Sequence, residues 1–190
     1  MTCPGGGLRQ HGPMTTYVAF LRAINLGATR KFPKHAIKAA VEAAGGTDVE
    51  TYINTGNVRF DSPLRSRAAI EEALERAFLE DRGFEVPTIV FTPQELTEIA
   101  EDAKRFGDGH SGRHYVSLLK ERPSAAAVAK LDELSTAEEV ARVGGRAVHL
   151  LLGDQYHTAK LTNAVIEKQL GVATNRNLTV IRALAERWGG

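Results

Sequence analysis

Hydrophobic residues in the first half of the chain follow two periodicities, which predict strands and helices in the order β-α-β-β-α-β. Alternation of apolar and polar residues with a period of two is typical of strands, and a spacing of three and four residues is typical of helices. On this basis we expect strands at 16–22, 49–54, 58–60 and 86–92, and helices at about 33–44 and 70–82. The segment "NTGN" separates the second and third strands as a short hairpin turn.

The same order of elements recurs in the second half of the chain. The spacing of apolar residues predicts a linking helix over Pro93–Phe106, and then a new β-α-β-β-α series. We expect strands at 115–119, 138–143 and 146–152, and helices at 124–134, 161–170 and 177–188. A closing strand near Val172 is predicted to be short or missing, and the last helix is an addition to the pattern.

A β-α-β-β-α-β unit forms a four-stranded antiparallel sheet with two helices on one face, the ferredoxin-like plait. The fold class expected is therefore α+β, with two tandem ferredoxin-like plaits; a single mixed α/β sheet is the alternative. We expect a flexible leader at 1–14, a first plait at 15–92, a linking helix and loop at 93–112, and a second plait with the terminal helix at 113–190.

The plait topology predicts which polar residues converge. Strands one and two are parallel in such a sheet, so the end of strand one and the hairpin between strands two and three lie at the same end. The residues expected to meet there are Arg22 and Asn25 on one side and Asn54, Thr55, Gly56 and Asn57 on the other. A turn alone explains Gly56 and one or two of the polar residues, because Asn and Thr bond their own backbone in turns. Arginine and amide groups on a rigid scaffold also suit a phosphate or carboxylate, and both interpretations stay open.

Composition adds few constraints on function. The chain has 190 residues and a net charge of +1, but five basic residues and no acidic ones lie between Arg22 and Lys38. This asymmetry predicts local positive surfaces on a chain that is not a polycation. The only cysteine is Cys3, so an intrachain disulfide is impossible and a cytoplasmic location is expected. No apolar run is long enough to span a bilayer, so we expect no membrane partner.

Three segments together resemble a known family. "FLRAINLG", "TYINTGNVRFDSP" and "TNRNLTV" are similar, in this order, to the "LLRGINVGG", "TYIQSGNVVF" and "TTRNWNTV" segments of the bacterial domain-of-unknown-function family 1697. The resemblance covers most of the chain from Met14 onward and implies two ferredoxin-like domains and no established activity. Ala23 stands where the family has Gly, and Leu178 stands where it has Trp.

The third segment supplies a second group of candidate residues, Thr174, Asn175, Arg176 and Asn177. Because it precedes the last helix, Asn177 or Asn175 is a candidate N-cap, and capping is sufficient to explain one asparagine. The alternative is an anion pocket made by Arg176 and the free N–H groups of that helix. Thr158 is expected to be the N-cap of the helix predicted at 161–170 and to place Lys160 in the first turn of that helix. An anionic partner or simple solvation would stabilise the Lys160 cation there.

Other chemistry is not indicated by the sequence. No spacing of His or Cys suggests a metal site, and no phosphate-binding or dinucleotide motif is found, so no cofactor is expected. We expect a small anionic ligand as the partner. One alternative is an enzyme acting on a small anionic metabolite, with His149, His157 or Lys160 transferring protons. A second is a nucleic-acid-binding module that uses aromatic residues on its sheets, and a third is an interaction protein of undetermined oligomeric state.

Overall fold

Two four-stranded antiparallel sheets form the framework of the structure, a computed structural model that describes residues 13–190. The first sheet has the order β2-β3-β1-β4, and the helices α1 and α2 cover one of its faces. The bounds of these elements are β1 (Thr15–Leu21), α1 (Lys34–Ala43), β2 (Thr47–Tyr52), β3 (Asn57–Ser62), α2 (Arg67–Arg82) and β4 (Thr88–Phe91). All but two residues of the predicted leader lie outside the described residues.

The second sheet repeats the first. After the linking helix, the elements are α3 (Pro93–Phe106), β5 (Arg113–Leu119), α4 (Ala125–Asp132), β6 (Glu139–Gly144), β7 (Ala147–Leu152), α5 (Asn163–Leu170), β8 (Ala173–Asn177) and α6 (Leu178–Trp188). The strand order β6-β7-β5-β8 corresponds to that of the first sheet, so the prediction of two ferredoxin-like plaits is confirmed. The closing strand β8 is present, with five residues.

The prediction for the start of the fifth helix is wrong. Tyr156–Thr158 forms a separate turn of 3₁₀ helix, and α5 begins at Asn163 with the Thr162 side chain accepting a hydrogen bond from the Val165 N–H. Lys160 therefore precedes the helix and doesn't occupy its first turn. Its backbone N–H donates to the Glu139 carboxylate on β6, and this contact holds the connecting segment against the edge of the second sheet.

The two plaits share a central core. Alternate residues of β1 face opposite ways: Tyr17, Ala19 and Leu21 pack against α1 and α2, while Val18 and Phe20 face the second plait. Helices α4 and α5 cover the outer face of the second sheet. The central core lies between the inner faces of the sheets, where α3 and α6 pack with both of them. No helix within residues 13–190 is both long and apolar enough to cross a membrane.

The plaits are related by a pseudo-two-fold arrangement that the hydrogen bonds make visible. The Leu21 N–H donates to the Gly56 carbonyl in the first plait, and the Leu119 N–H donates to the Arg146 carbonyl in the second, both at 2.8 Å. The residues that follow, Arg22 and Lys120, are therefore structural equivalents. Each crosses to the other plait: Arg22 pairs with Glu167 on α5. Lys120 pairs with Glu75 on α2 at 2.5 Å.

A buried histidine pair lies on the inner face of the second sheet. His114 Nε2 and His149 Nδ1 are 3.0 Å apart, and the His149 ring stacks edge-on against Phe106 of α3. Burial lowers the pKa of His149 to about 3 and that of His114 to about 4. Both rings are consequently neutral near pH 7, and one donates to the other.

We predict that this pair makes the protein acid-sensitive. Both folded pKa values lie below the unfolded value near 6.5, so the unfolded state binds more protons, and stability is lost as the pH falls below 6.5. The expected loss between pH 7.5 and pH 5 is roughly 2–4 kcal/mol, as measured by urea denaturation. A variant with both His114→Leu and His149→Leu should lose much less over the same interval. An equal loss in the two proteins would contradict this role of the pair.

Candidate functional site

Most of the predicted binding residues meet in one open cleft between the plaits, with a volume of about 750 Å³. Its walls are the segment after β1, the β2–β3 hairpin, β8 and the start of α6. The predicted residues that line it are Arg22, Asn25, Asn54, Thr55, Thr174, Asn175, Arg176 and Asn177. The convergence inferred from the plait topology is thus confirmed, and the third motif joins the same cleft.

The Asn25 side chain joins the loop after β1 to the hairpin. The Asn25 side chain donates to the Asn54 carbonyl at 2.7 Å and accepts from the Phe32 N–H, which closes the loop after β1 onto the hairpin. Gly56 has a φ of 75°, and a Cβ there would lie 2.7 Å from the Leu21 Cβ. Because Gly56 and Asn57 are buried behind the hairpin, they shape the cleft without lining it.

Arg176 connects this hairpin to the second plait. Its Nε donates to Asn57 Oδ1 at 2.8 Å, and its Nη2 donates to the carbonyls of Leu21 and Thr55 at 3.1 and 2.8 Å. Its Nη1 donates to Thr174 Oγ1 and to the Asn175 carbonyl. Every N–H of this guanidinium is occupied, so Arg176 does not have a free fork with which to grip an anion directly.

The charge of Arg176 is nevertheless unbalanced. Only 8% of its surface is exposed, and every acceptor it contacts is neutral. Within residues 13–190, no carboxylate lies within 4 Å of it, and burial lowers its pKa to about 10, which leaves it protonated at pH 7. A buried cation without a partner raises the electrostatic potential of the surface above it, because the protein interior screens charge less than water does.

Arg22 is the arginine that can reach a ligand. One nitrogen, Nη2, donates to Glu167 Oε2 at 2.8 Å, and no other hydrogen bond of its side chain is found in the described part of the chain. Its side chain is 36% exposed and lines the cleft. The remaining N–H groups are therefore available to a group bound beside Glu167.

The segment Thr174–Asn177 is part of strand β8 and leads directly into α6, so it precedes the last helix as the sequence predicts. It pairs with β5 as the edge strand β8, and only Asn177 is the N-cap, accepting from the Val180 N–H at 2.9 Å. The capping prediction for Asn177 is confirmed, and the alternative at Asn175 is wrong. Asn175 Oδ1 is buried and has no hydrogen-bond partner among the described residues.

Several candidate residues lie elsewhere. Lys160 is beside Glu139 on β6, and His157 is exposed next to Tyr156, so neither lines the cleft. His149 does not share a ligand with His157, because it is buried against His114 and Phe106. The residues that the structure describes include no group of three or more His, Cys, Asp or Glu arranged to hold a metal ion.

The aromatic residues on the first sheet are not available for stacking on bases. Tyr17, Phe20 and Phe60 are buried, and the half-buried Tyr52 packs edge-on against Trp188 of α6. The inner faces of both sheets are covered by the central core. Sheet-face recognition of RNA by these side chains would need that core to open.

The cleft also contains residues that the sequence did not reveal. Tyr115, Asn163 and Val180 line it, and Glu167 holds Arg22 at its edge. The pairing of β5 with β8 that brings Tyr115 there is internal to the second plait, whereas the contact of Arg22 with α5 depends on how the plaits pack. Glu167 is found by superposing the two plaits on their equivalent hydrogen bonds, because Glu75 occupies the equivalent position in the first plait.

The fold and the cleft define a protein of two pseudo-symmetric plaits with a cleft of mixed polar and apolar lining between them. The family model described as "Protein of unknown function (DUF1697)" matches residues 14–149, and the chain belongs to that family. A solved structure of conserved bacterial protein SP0830 from Streptococcus pneumoniae is similar, with a TM-score of 0.74 and 21% identity over 93% of this chain and 99% of that one. At this identity the likeness shows the fold alone. No curated protein matches the chain.

We predict that Arg176 is essential for stability. Arg176→Met leaves the Leu21 carbonyl and Asn57 Oδ1 buried without this donor, and it should lower the free energy of unfolding by about 3–5 kcal/mol in urea denaturation. Arg105→Met, which alters an exposed arginine on α3, should cost less than about 1 kcal/mol. Similar losses in the two variants would show that the buried contacts of Arg176 contribute little.

A second prediction concerns backbone strain at the edge of the cleft. Ala23 has a φ of 56°, a conformation that costs a residue with a Cβ about 1 kcal/mol and glycine almost nothing. Ala23→Gly should therefore leave the free energy of unfolding, obtained from thermal denaturation, unchanged or raise it by up to about 1 kcal/mol. The matched control is Ala39→Gly on the exposed face of α1, which should lose about 1 kcal/mol. Equal losses at the two positions would contradict strain at Ala23.

Proposed function

We propose that the cleft between the plaits binds a small organic anion bearing a carboxylate or phosphate group. The observation that carries this proposal is the unbalanced charge of Arg176, which lies buried in the cleft wall with only neutral acceptors. Glu167 balances one of the two arginines of the cleft, Arg22, and among residues 13–190 no carboxylate lies within 4 Å of the other. An anion in the cleft would supply the missing negative charge.

Arg22 and Arg176 would contribute to binding in different ways, because their hydrogen-bond donors are occupied to different extents. Arg176 supplies fixed potential and rigidity, because all its donors are occupied. Arg22 supplies the direct contact through N–H groups that Glu167 leaves free. Asn54, Thr55, Asn175 and Asn177 supply further hydrogen-bonding groups around it.

The rest of the ligand would contact apolar surface. Ile24, Leu26 and Val180 line the cleft together with the ring of Tyr115, and Leu26 is 60% exposed at the rim. A ligand with an apolar body beside its anionic group would cover these side chains. The proposed setting is the cytoplasm, since the single cysteine suits a reducing compartment.

The proposal is tested by thermal shift with paired ligands. Benzoate, glutarate and inorganic phosphate are compared with the neutral benzamide and glutaramide on wild type, Arg22→Gln and Arg187→Gln. Arg187 is the matched control, because it is also ion-paired to a glutamate but lies at the far end of α6. An anion at ten times its Kd should raise the Tm of wild type and Arg187→Gln by about 3–6 °C.

The Arg22→Gln variant should lose most of that increase, and the neutral analogues should produce none. Equal stabilisation of wild type and Arg22→Gln would contradict binding at Arg22. Equal stabilisation by benzoate and benzamide would contradict recognition of charge.

A further inference from the structure

The first plait contains a built counterpart of the cleft, in which carboxylates satisfy an edge strand. The outward-facing N–H groups of β4 belong to Thr88 and Val90. Thr88 donates to Glu75 Oε1 at 2.8 Å, and Val90 donates to Glu71 Oε1 at 2.9 Å. Both glutamates project from α2, one turn apart, and Glu71 is only 3% exposed.

The equivalent strand of the second plait is satisfied only in part. Pseudo-symmetry places Ala173 and Asn175 of β8 at the positions of Thr88 and Val90. The Ala173 N–H donates to Glu167 Oε1 at 3.3 Å, as Thr88 does to Glu75. The Asn175 N–H faces away from β5 by the alternation of an antiparallel ladder, and no acceptor for it is found within residues 13–190.

The difference arises from one residue on α5. Asn163 lies four residues before Glu167, as Glu71 lies four before Glu75, so it occupies the position of Glu71. It carries no charge, and its amide is already used: Oδ1 accepts from Ser117 Oγ at 3.0 Å, and Nδ2 donates to the Ala173 carbonyl at 3.3 Å. The second plait therefore lacks the carboxylate that completes the first.

The charges show the same omission. In the first plait, Lys120 Nζ lies 3.9 Å from Glu71 Oε2 and also pairs with Glu75, so the lysine meets two carboxylates. Its equivalent, Arg22, pairs with Glu167 on α5, and the described part of the chain places no second carboxylate within 4 Å of it. A carboxylate at the position equivalent to Glu71 would pair with Arg22 and would also accept from the Asn175 N–H.

We infer that the ligand of the cleft is a carboxylate, and that its carboxylate group occupies the position that Glu71 fills in the first plait. One oxygen accepts from the Asn175 N–H, and the group as a whole faces the free N–H groups of Arg22. This inference rests on the proposed anion-binding function and specifies its chemical class. The guanidinium fork matches a planar two-oxygen anion. A single backbone N–H is fewer than the nest of N–H groups that commonly cradles a phosphate.

The test places the missing carboxylate in the chain. Asn163→Glu should fill the position from within and exclude the ligand, while Asn163→Gln gives a side chain of the same length without the charge. Benzoate, glutarate and inorganic phosphate are titrated into full-length wild type and both variants, with ¹⁵N–¹H correlation spectra recorded. We expect a carboxylate to shift the Asn175 amide resonance of wild type, and Asn163→Glu to weaken its binding at least tenfold. Asn163→Gln, which adds the length without the charge, should weaken carboxylate binding by a clearly smaller factor than Asn163→Glu does.

The outcomes separate this inference from the proposal on which it rests. Phosphate binding at Arg22 without carboxylate binding would overturn the carboxylate assignment and leave anion binding intact. Carboxylate binding that leaves the Asn175 amide unshifted, or that is equally tight in Asn163→Glu, would also overturn it. Binding of none of the three anions to wild type would overturn the proposed function itself. The wild-type spectrum decides the location of binding even if a variant fails to fold.

Discussion

The burial of the Arg176 guanidinium is the interaction on which the arrangement of the two plaits depends. A buried cation needs hydrogen-bond acceptors for all its donors. Arg176 donates to Asn57 and Leu21 of the first plait and to Asn175 of the second. The hairpin must place Asn57 Oδ1 and the Thr55 carbonyl within hydrogen-bonding distance of Arg176 on β8. The tight turn at Gly56 makes this placement possible. The shape of the cleft thus follows from a hydrogen-bonding requirement behind its surface, and the residues that make it need not touch a ligand.

The two halves satisfy similar requirements with different chemistry. Arg146, equivalent by position to Gly56, is also buried and donates to carbonyls of both plaits, at Leu119, Lys120 and Val90. It lies 4.0 Å from the Phe91 ring centroid and 3.6 Å from Glu95. The buried cation Arg146 therefore has a carboxylate beside it, that of Glu95 on α3, whereas the acceptors around Arg176 are all neutral.

Local patterns were enough to predict both plaits and the meeting of Arg22 with the hairpin, because hydrophobic periodicity and plait topology determine them. The roles of individual residues were harder. Arg176 has the chemistry of an anion ligand, but its neighbours are carbonyls contributed by distant segments, and no local signal reveals them. The placement of Lys160 failed for a different reason: Thr158 and Thr162 are both plausible caps, and Glu139 on β6 decides between the resulting conformations. The role of Asn163 is seen only from the structure, where it lies at the position equivalent to Glu71 and carries no charge.

The reciprocal ion pairs of Arg22 and Lys120 have a consequence for how such a molecule can change. Each half reaches across to the other in the way that identical subunits do in a two-fold dimer. In a true dimer every substitution appears twice, so a carboxylate that completes one site also closes the other. Joining the copies in one chain removes that restriction. One half can keep a permanent internal counterion while the other exchanges it for a diffusing one.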